Sequence, residues 1–400
     1  MRADTGGEKL KAQRTILILG GGVGGIVTAN RLRQRLGSDH RVIVVDKRAE
    51  HVFAPSLLWL MTGHRQPSDI TRPLRQLLAA GIELRREEVV AIQPDDRTVV
   101  TSTGTIAYDH LVIALGAELA PDALPGFTEA AHSFFDLAGA RALWSDLQHF
   151  DGGRVAVLVS SLPYKCPAAP YEAVLLLDEA LRKRGVRERS RIDVYTPEPL
   201  PMPVAGPAMG RAVVEMLSAK GIAFHPNVQV TAVDSSSHEL VFKDDRREGF
   251  DLLAGVPPHR PPRVIRESPL AGESGWVPVD KHTLKTRFDD VYAIGDVAAV
   301  KLPNGKMLPK AGVFAHGEGL AVADRISEAI EGRESHAEFD GLGYCWIESG
   351  GGLAGFASGD FYAEPDPRLG LPRSGRLWHL GKVLFERYWL GRGLERSLAR

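Results

Sequence analysis

A glycine-rich turn near the N-terminus constrains the fold of this chain more than any other feature. The turn, at residues 20–25, follows an apolar, β-branched run at 15–19 that is typical of a buried parallel strand. Apolar residues with helical spacing follow at 26–36, and a second buried run occupies 41–45. A strand, a glycine turn, a helix and a second strand in close succession predict the β-α-β half of a Rossmann domain.

The positions of the glycines point to a dinucleotide. Gly20 permits the tight turn, Gly22 lets the backbone approach a pyrophosphate, and Gly25 lets the helix pack closely on the strand. The helix N-terminus presents free N–H groups to the anion, and Asp46, after the second strand, suits the ribose hydroxyls. The cofactor contacts predicted in this unit are Gly20, Gly22, Val23, Gly24, Gly25, Asp46 and Lys47.

Two later motifs favour FAD as this dinucleotide. Ala114-Leu115-Gly116 ends one strand, and residues 292–296 (YAIGD) end another. They resemble motifs of flavoproteins with two dinucleotide-binding domains, and that resemblance implies a hydrogen bond from Asp296 to the ribityl or phosphate region of FAD. A helix N-cap is the alternative role for Asp296. The further predicted cofactor contacts are Ala114, Gly116, Gly295, Asp296, Lys310 and Gly312.

A second β-α-β pattern follows, but it lacks the glycines of a nucleotide site. Strands are predicted at 154–160 and 191–195, with a helix at 171–184 between them. After Ser160 the chain reads SLPYKCP, where a nicotinamide-binding domain would carry a glycine turn. We therefore predict that the nicotinamide site is lost and that Cys166 lies where the nicotinamide would approach the flavin.

These patterns predict an α/β fold of tandem Rossmann-like FAD/NAD(P)-binding domains with a C-terminal α/β tail region. The FAD-binding domain is predicted at 15–125 and 285–330, and the second domain, with its degenerate nucleotide site, at 126–284. The C-terminal region is predicted at 331–400.

Composition excludes several classes of protein. The net charge of −1 argues against a nucleic-acid-binding protein. No apolar run is long enough to span a membrane, and the polar residues 1–14 do not form a secretion signal, which predicts a cytoplasmic protein. Two cysteines without CxxC or HExxH spacing predict no metal site.

The cysteines, Cys166 and Cys345, lie far apart in the sequence. Taken alone, that separation in a reducing compartment favours two unrelated buried thiols. The sequence around Cys166 favours reactivity, because a helix follows it and a helix N-terminus lowers the pKa of a nearby thiol.

Motifs over nearly the whole chain resemble the sulfide:quinone oxidoreductase family and the related flavoprotein subunit of flavocytochrome c sulfide dehydrogenase. They are CPAAPYE from Cys166, DLL at 251–253 with VPPH at 256–259, PKAGVFA at 309–315, and the cysteine before the tail. The resemblance implies that Cys166 and Cys345 form a redox pair, bridged by a disulfide or a sulfur chain, against one face of FAD. It also implies oxidation of sulfide to sulfur or polysulfide and reduction of a quinone.

The chain departs from this pattern in two ways. Many sulfide:quinone oxidoreductases carry a third cysteine upstream of the second Rossmann unit, and residues 132–137 contain none, which leaves the release of the sulfur product open. The flavocytochrome flavoprotein attaches FAD to a cysteine in its first domain. No cysteine precedes Cys166, so FAD is predicted to bind noncovalently.

Other polar residues are catalytic candidates, each with a structural alternative. Lys310 would favour negative charge on the reduced flavin, and otherwise is a solvated lysine. Glu172 would take protons from the sulfur site by resemblance, or merely complement the helix dipole. His132 and His259 would relay protons, although a structural role is favoured for each alone.

The C-terminal stretch at 377–400 mixes aromatic and basic residues. This composition suits a helix at a lipid interface near a quinone entrance, on the inner face of the membrane, and equally an ordinary amphipathic helix on the core. The sequence leaves a homo-oligomer open. The alternatives in function are a single-subunit NADH:quinone oxidoreductase, a flavin-containing sulfur sensor or carrier without quinone turnover, and sulfide oxidation with a cytochrome as acceptor.

Overall fold

The computed structural model describes residues 13–370 and 374–391. Two predicted segments lie partly outside the described residues. They are residues 1–12 of the segment predicted not to form a secretion signal, and residues 392–400 of the C-terminal stretch. The strands are β1 (Thr15–Leu19), β2 (Arg41–Val45), β3 (Glu50–Val52), β4 (Thr71–Pro73), β5 (Glu83–Arg85), β6 (Val89–Gln93), β7 (Thr98–Thr101), β8 (Gly104–Ala107), β9 (His110–Ile113), β10 (Glu118–Leu119), β11 (His132–Ser133), β12 (Gly153–Val159), β13 (Ser190–Tyr195), β14 (Ile222–His225), β15 (Val230–Asp234), β16 (Glu239–Phe242), β17 (Arg247–Gly249), β18 (Leu252–Val256), β19 (His259–Arg260), β20 (Val277–Pro278), β21 (Val291–Ala293), β22 (Ala298–Ala299), β23 (Leu342–Gly350), β24 (Leu353–Asp360) and β25 (Arg368–Gly370).

The α-helices vary from one turn to five turns in length. They are α1 (Val23–Leu36), α2 (Leu57–Leu60), α3 (Pro67–Ile70), α4 (Leu74–Leu77), α5 (Phe127–Ala130), α6 (Leu137–His149), α7 (Ala169–Lys183), α8 (Pro207–Ser218), α9 (Arg263–Arg266), α10 (Gly312–Ile330) and α11 (Arg376–Leu390). Among the helices of the described ranges, none is long and apolar enough to cross a membrane.

Two five-stranded parallel sheets form the core, and the predicted α/β fold class is confirmed. The first sheet has the order β21-β9-β1-β2-β5, so that a strand from the second half of the chain completes the N-terminal unit. Strands β1, β2 and β9 are almost entirely buried, as expected for parallel strands covered on both faces. Helices α1 and α10 pack together beside this sheet.

The second sheet has the order β11-β18-β12-β13-β14, and α7 packs on β12 and β13. Its central strand β12 lies parallel to both neighbours, with Val157 opposite Val194 on β13 and Ala254 on β18. The loop from β12 to α7 therefore leaves the carboxyl edge of a parallel sheet, where such folds bind ligands.

Smaller antiparallel sheets flank the core. The strands β6, β7 and β8 form one, and β15, β16 and β17 another. A third consists of β23, β24 and β25, and α11 packs on it. The predicted domain boundaries remain predictions.

The apolar spacing at 72–80 predicts an amphipathic helix, and this prediction is wrong for most of its length. Residues 71–73 form strand β4, and the helix is the single turn α4. Pro73 starts this turn, and the Asn30 side chain ends it by donating to the Leu77 carbonyl and accepting from Ala79 N–H, each at 2.8 Å. A contact across 47 residues of sequence thus overrides the local apolar spacing.

Candidate functional site

The glycine turn forms a cradle at the N-terminus of α1. Gly20 has a φ of +106°, and a Cβ there would lie 2.3 Å from the Ala114 carbonyl oxygen. A Cβ on Gly25 would lie 1.8 Å from the Gly20 carbonyl oxygen, so the helix can approach the strand only with glycine here. Next to Gly22 there is open space within 4 Å, and α1 begins at the following residue, which fits a pyrophosphate at the helix N-terminus.

The two residues predicted at the ribose have different surroundings. Asp46 is buried, and its carboxylate accepts the N–H of Gly21 at 2.7 Å and pairs with Arg48 at 3.0 Å. Burial acts to raise the pKa of Asp46, but the hydrogen bonds and charge of Arg48 outweigh it and lower the pKa. Lys47 lies exposed and pairs with Glu88 at 2.9 Å.

The other predicted cofactor contacts line the same cleft. Gly116 has a φ of +69° with open space beside it, directly after strand β9 and Ala114. Gly312 opens α10, and a Cβ there would lie 3.6 Å from Val23, so the N-termini of α10 and α1 converge. These features fit a flavin dinucleotide laid across the carboxyl edge of the first sheet.

Lys310 is partly buried at this cleft rather than fully solvated. Its ammonium donates to the carbonyl oxygens of Asp296 and Ala298 and lies 3.5 Å from the ring centroid of Trp276. Burial lowers the pKa of Lys310 to about 8. A partly buried cation beside the cleft suits an anionic reduced flavin.

Glu318 is a further buried group of the cleft that the sequence reasoning missed. Its carboxylate accepts the N–H of Gly295, whose φ is +70°. Burial raises the pKa of Glu318 to about 7. Sequence spacing gives no signal for this contact, because Glu318 reaches Gly295 only when α10 packs against the cleft.

Cys166 lies in a strained loop tied to the Lys310 segment. Its φ is +53°, which is uncommon for a residue other than glycine. Its N–H donates to the Lys310 carbonyl oxygen at 2.6 Å, and its own carbonyl accepts the N–H of Ala169 at 2.9 Å. The loop from the second sheet is therefore fixed against the cleft of the first.

Cys345 lies on β23 and packs, like Cys166, against the same hydrophobic cluster. Both are free thiols in the structure. Burial raises the pKa of Cys166 to about 11, with a further contribution from the charge of Glu172. Burial raises the pKa of Cys345 as well, followed by the charges of Cys166 and Glu172. The fold thus brings the two cysteines into mutual electrostatic range.

The predicted lowering of the Cys166 pKa is wrong. Helix α7 begins only at Ala169, and burial with the nearby Glu172 carboxylate outweighs the helix N-terminus. Glu172 itself is buried in the first turn of α7 and contacts the ammonium of Lys382. Burial raises the pKa of Glu172 to about 7, against the effect of Lys382.

A buried carboxylate, that of Glu198, is hydrogen-bonded to two tyrosines at the β12–α7 loop. The carboxylate of Glu198 accepts hydrogen bonds from the hydroxyls of Tyr164, at 3.0 Å, and Tyr171. All three side chains are buried, and burial raises the pKa of Glu198. Bulky side chains thus occupy the turn where a nucleotide-binding domain has glycine.

The two histidines have different surroundings. His132, on β11, pairs with Asp146 at 2.6 Å, and none of its described contacts is with a cysteine. His259 packs edge-on against Phe135, and its Nε2 is buried without a hydrogen-bond partner among the described residues. Burial and the charge of Lys165 lower the pKa of His259 to about 3, so this ring is neutral at physiological pH.

The family of this chain follows from its similarity to known proteins. Residues 14–319 match the model of the pyridine nucleotide-disulphide oxidoreductase family. The chain belongs to this family. It is therefore an FAD-dependent oxidoreductase.

Several relatives match over most of their length. The chain is 27% identical to the mitochondrial sulfide:quinone oxidoreductase of Mus musculus, over 88% of this chain and 79% of that protein. It is 29% identical to the sulfide-quinone reductase of Aquifex aeolicus, over 94% of this chain and 90% of that protein. The X-ray structure of the Aquifex aeolicus sulfide:quinone oxidoreductase superposes with a TM-score of 0.84 at 26% identity, covering 94% of this chain and 90% of that one. The resemblance read from the sequence is confirmed.

Proposed function

We propose that the protein oxidises sulfide and transfers the electrons to a quinone, through a redox pair of Cys166 and Cys345. The observation that carries the proposal is the placement of both cysteines in one buried cluster, with the Cys166 loop hydrogen-bonded to the Lys310 segment of the flavin cleft. The relatives named as sulfide:quinone oxidoreductases support this substrate pair.

The residues support a sulfur-exchange reaction. Hydrosulfide attacks one sulfur of a Cys166–Cys345 disulfide, forms a new S–S bond, and releases the other cysteine as a thiolate. The product is a cysteine persulfide, and Glu172 accepts its S–H proton, as a carboxylate with a pKa of about 7 can. FAD would be held at the glycine turn, where the space beside Gly22 is open, and would supply the two-electron redox chemistry that links the sulfur site to the quinone. Lys310 supplies positive charge at the flavin cleft throughout.

Noncovalent binding of FAD is part of this proposal, since no cysteine precedes Cys166 and the first domain therefore lacks a thiol for attachment. The glycine turn would hold the pyrophosphate, because the space beside Gly22 is open. His132 pairs with Asp146, which supports a structural role for it rather than proton transfer.

We also propose that the protein lies on a membrane surface, on the inner face, where its quinone is dissolved. The support is the apolar outer face of α11, where Leu377, Leu380, Leu384 and Tyr388 are exposed. Aromatic side chains cluster beneath it, including Trp346 stacked on Phe385 with centroids 5.2 Å apart. An exposed apolar patch of this kind suits a lipid interface.

The test is an anaerobic titration of the holoenzyme with sulfide, followed by a quinone analogue. Sulfide is expected to bleach the flavin spectrum, and the quinone to restore it. Replacement of Cys166 or Cys345 by Ser is expected to reduce sulfide-dependent quinone reduction by at least about a thousandfold, while FAD stays bound. Near-normal turnover in both variants would contradict the proposal.

The same titration separates the alternatives. NADH is expected not to bleach the flavin, because Tyr164 and Tyr171 fill the turn of the second unit. Bleaching by NADH with both cysteines replaced would indicate an NADH:quinone oxidoreductase instead. Bleaching by sulfide without reoxidation by the quinone would indicate a sulfur sensor or carrier.

A further inference from the structure

A buried lysine from the C-terminal helix lies within the sulfur site. Lys382, on α11, is only 3% exposed, and its ammonium contacts the Glu172 carboxylate. The same ammonium lies 4.7 Å from the ring centroid of Trp59. Glu172 is in the first turn of α7, directly after the Cys166 loop. A buried ammonium is costly without partners, so the chain has placed this cation against a specific set of groups.

Part of the helix that carries Lys382 turns charged side chains inward and apolar side chains outward. A surface helix normally turns apolar side chains inward and charged ones outward. On α11 the buried residues include Lys382 and Glu386, whereas Leu377 is 81% exposed. Two ion pairs therefore dock this helix on the core, Lys382 with Glu172 and Glu386 with Arg65 at 2.8 Å.

The two ion pairs differ in the groups that surround them. Glu386 accepts from Arg65 and from the Ser56 hydroxyl at 2.6 Å, and none of its described contacts is with a cysteine or with Glu172. Lys382, by contrast, acts on the pKa of both thiols. The Glu386 pair is thus a matched control that docks the same helix without touching the sulfur site.

The charges around the thiols have opposite effects. Beyond burial, the Glu172 carboxylate raises the pKa of Cys166, and Lys382 lowers it, with a smaller raising effect from Asp296. For Cys345 the charges of Cys166 and Glu172 raise the pKa, and Lys382 again lowers it. The groups that face Lys382 are Glu172 on α7, Glu348 and Cys345 on β23, and the Trp59 ring on α2.

Glu348 extends this cluster toward the surface. It is buried on β23, three residues after Cys345, and its carboxylate pairs with the partly exposed His379 of α11 at 2.9 Å. The Glu348 backbone N–H also donates to Glu172. Lys382 therefore contacts the Glu172 carboxylate directly, and the charge of a second carboxylate, Glu348, also acts on it.

We propose that Lys382 is a positioning residue of the sulfur chemistry, whose ammonium orients the Glu172 carboxylate and stabilises the cysteine thiolate released when the sulfur bridge opens. The proposal rests on the redox role of Cys166 and Cys345 proposed above. Helix α11 would then have two functions. Its buried side takes part in the sulfur reaction, and its exposed apolar side contacts the membrane surface.

The proposal predicts effects of opposite sign for the two members of the ion pair. Removing the cation with Lys382→Met disfavours the thiolate, and removing the anion with Glu172→Gln favours it. Above about pH 7 Glu172 is mainly ionised, so the contrast is greatest there. If Lys382 and Glu172 had only a structural role, both substitutions would change the reactivity of the thiols in the same direction.

The experiment measures alkylation of Cys166 and Cys345 by iodoacetamide in the reduced, anaerobic holoenzyme across a range of pH. Only the thiolate reacts, so the rate reports the thiolate fraction. At about pH 8 we expect alkylation to be roughly tenfold slower in Lys382→Met, which equals one unit of thiol pKa, and severalfold faster in Glu172→Gln. Lys382→Arg is expected to restore the rate to within about threefold, because it keeps the charge.

Two results would overturn the proposal. The first is an unchanged alkylation rate in Lys382→Met. The second is an equal slowing in Glu386→Gln, which would indicate loosening of α11 rather than loss of a local charge. If Lys382→Met does not fold, the double variant Lys382→Met/Glu172→Gln, which leaves no unpaired buried charge from this pair, is compared with Glu172→Gln alone. Slower alkylation in the double variant supports the proposal, and equal rates contradict it.

Alkylation requires neither sulfide nor quinone, so the two proposals can fail separately. A wild-type enzyme without sulfide-dependent turnover, but with opposite effects of Lys382→Met and Glu172→Gln, would reject the proposed function and retain the electrostatic role of Lys382. Normal sulfide-dependent turnover of the wild type, together with unchanged alkylation rates in Lys382→Met and Glu172→Gln, would retain the proposed function and reject the role of Lys382.

Discussion

Gly25 and Gly22 serve the same turn but differ in the space around them. A methyl group at Gly25 would lie 1.8 Å from the backbone oxygen of Gly20, which cannot move without displacing strand β1. We therefore expect Gly25→Ala to lower the free energy of unfolding by about 2 kcal/mol or more, since overpacking against backbone is not relieved by a rotamer change. Chemical denaturation followed by circular dichroism measures this.

Gly22→Ala is the matched control for this prediction. Its methyl group would enter space that is open in the protein, so the fold should keep its stability. It would occupy the side from which a pyrophosphate approaches α1, so the dissociation constant of FAD should rise at least about tenfold. Equal losses of stability in the two alanine variants would show that the close packing at Gly25 does not matter.

Sequence spacing was sufficient for residues whose role depends on neighbours in the chain. The turn at 20–25 and the missing glycines after Ser160 are of this kind. Lys382 and Glu318 could not be found in this way, because each acquires its role only when a distant helix packs against the site. The direction of the Cys166 pKa shift was wrong for the same reason, since burial depends on the whole fold.

At the scale of elements, the proposed membrane binding of α11 can be tested separately from its buried ion pairs. Replacing Leu377, Leu380 and Leu384 together by Ser removes most of its exposed apolar face and leaves the inward Lys382 and Glu386 untouched. We expect binding to vesicles of mixed zwitterionic and anionic lipids to fall at least about tenfold, because apolar burial drives interfacial binding. Sedimentation with the vesicles measures the bound fraction.

The control for this helix is an exposed apolar residue on another element. Val90 on β6 is exposed, and Val90→Ser should leave vesicle binding unchanged. A triple variant that still sediments like the wild type would place the lipid contact elsewhere. Thermal unfolding of each variant verifies that α11 remains docked.

The buried parallel strands were predicted from their apolar runs, whereas the short helix α4 was not. The buried runs at 15–19 and 41–45 coincide with β1 and β2, because parallel strands covered on both faces need continuous apolar residues. Helix α4 is shorter than its apolar spacing suggested, because the Asn30 side chain takes up its terminal backbone groups. Such a side-chain cap from another element leaves no mark on local periodicity.

At the scale of the whole molecule, the site exists only where separate parts of the chain meet. Residues 165 and 310 pair as an isolated parallel bridge, and the Cys166 N–H adds a hydrogen bond to Lys310. Strand β21 returns to the first sheet beside β9, which places the Lys310 segment at the same edge as the glycine turn. Folding of both Rossmann-like units is therefore required before thiols, lysine and flavin cleft adjoin.

The pH dependence of global stability should reflect the titration of the buried carboxyl group of Glu318. Its folded pKa of about 7 lies above the ordinary value of 4.5, so the folded state holds a proton that the unfolded state releases. The contribution of Glu318 to stability is thus complete below about pH 4.5 and is lost as the pH rises to about 7. Lys310 is a separate case, because its pKa of about 8 is lowered from 10.5 and places its effect at higher pH.

Glu318→Gln keeps a carbonyl oxygen for the Gly295 N–H but cannot titrate. We expect its free energy of unfolding, relative to the wild type, to increase between about pH 4.5 and about pH 7, on the order of 3 kcal/mol, and then to level off. Urea denaturation of the holoenzyme at a series of pH values measures the difference. The exposed Glu334 provides the control for the substitution itself, because Glu334→Gln makes the same chemical change at the surface. A difference between Glu318→Gln and the wild type that does not change with pH would mean that Glu318 ionises in the folded protein as it does in the unfolded chain.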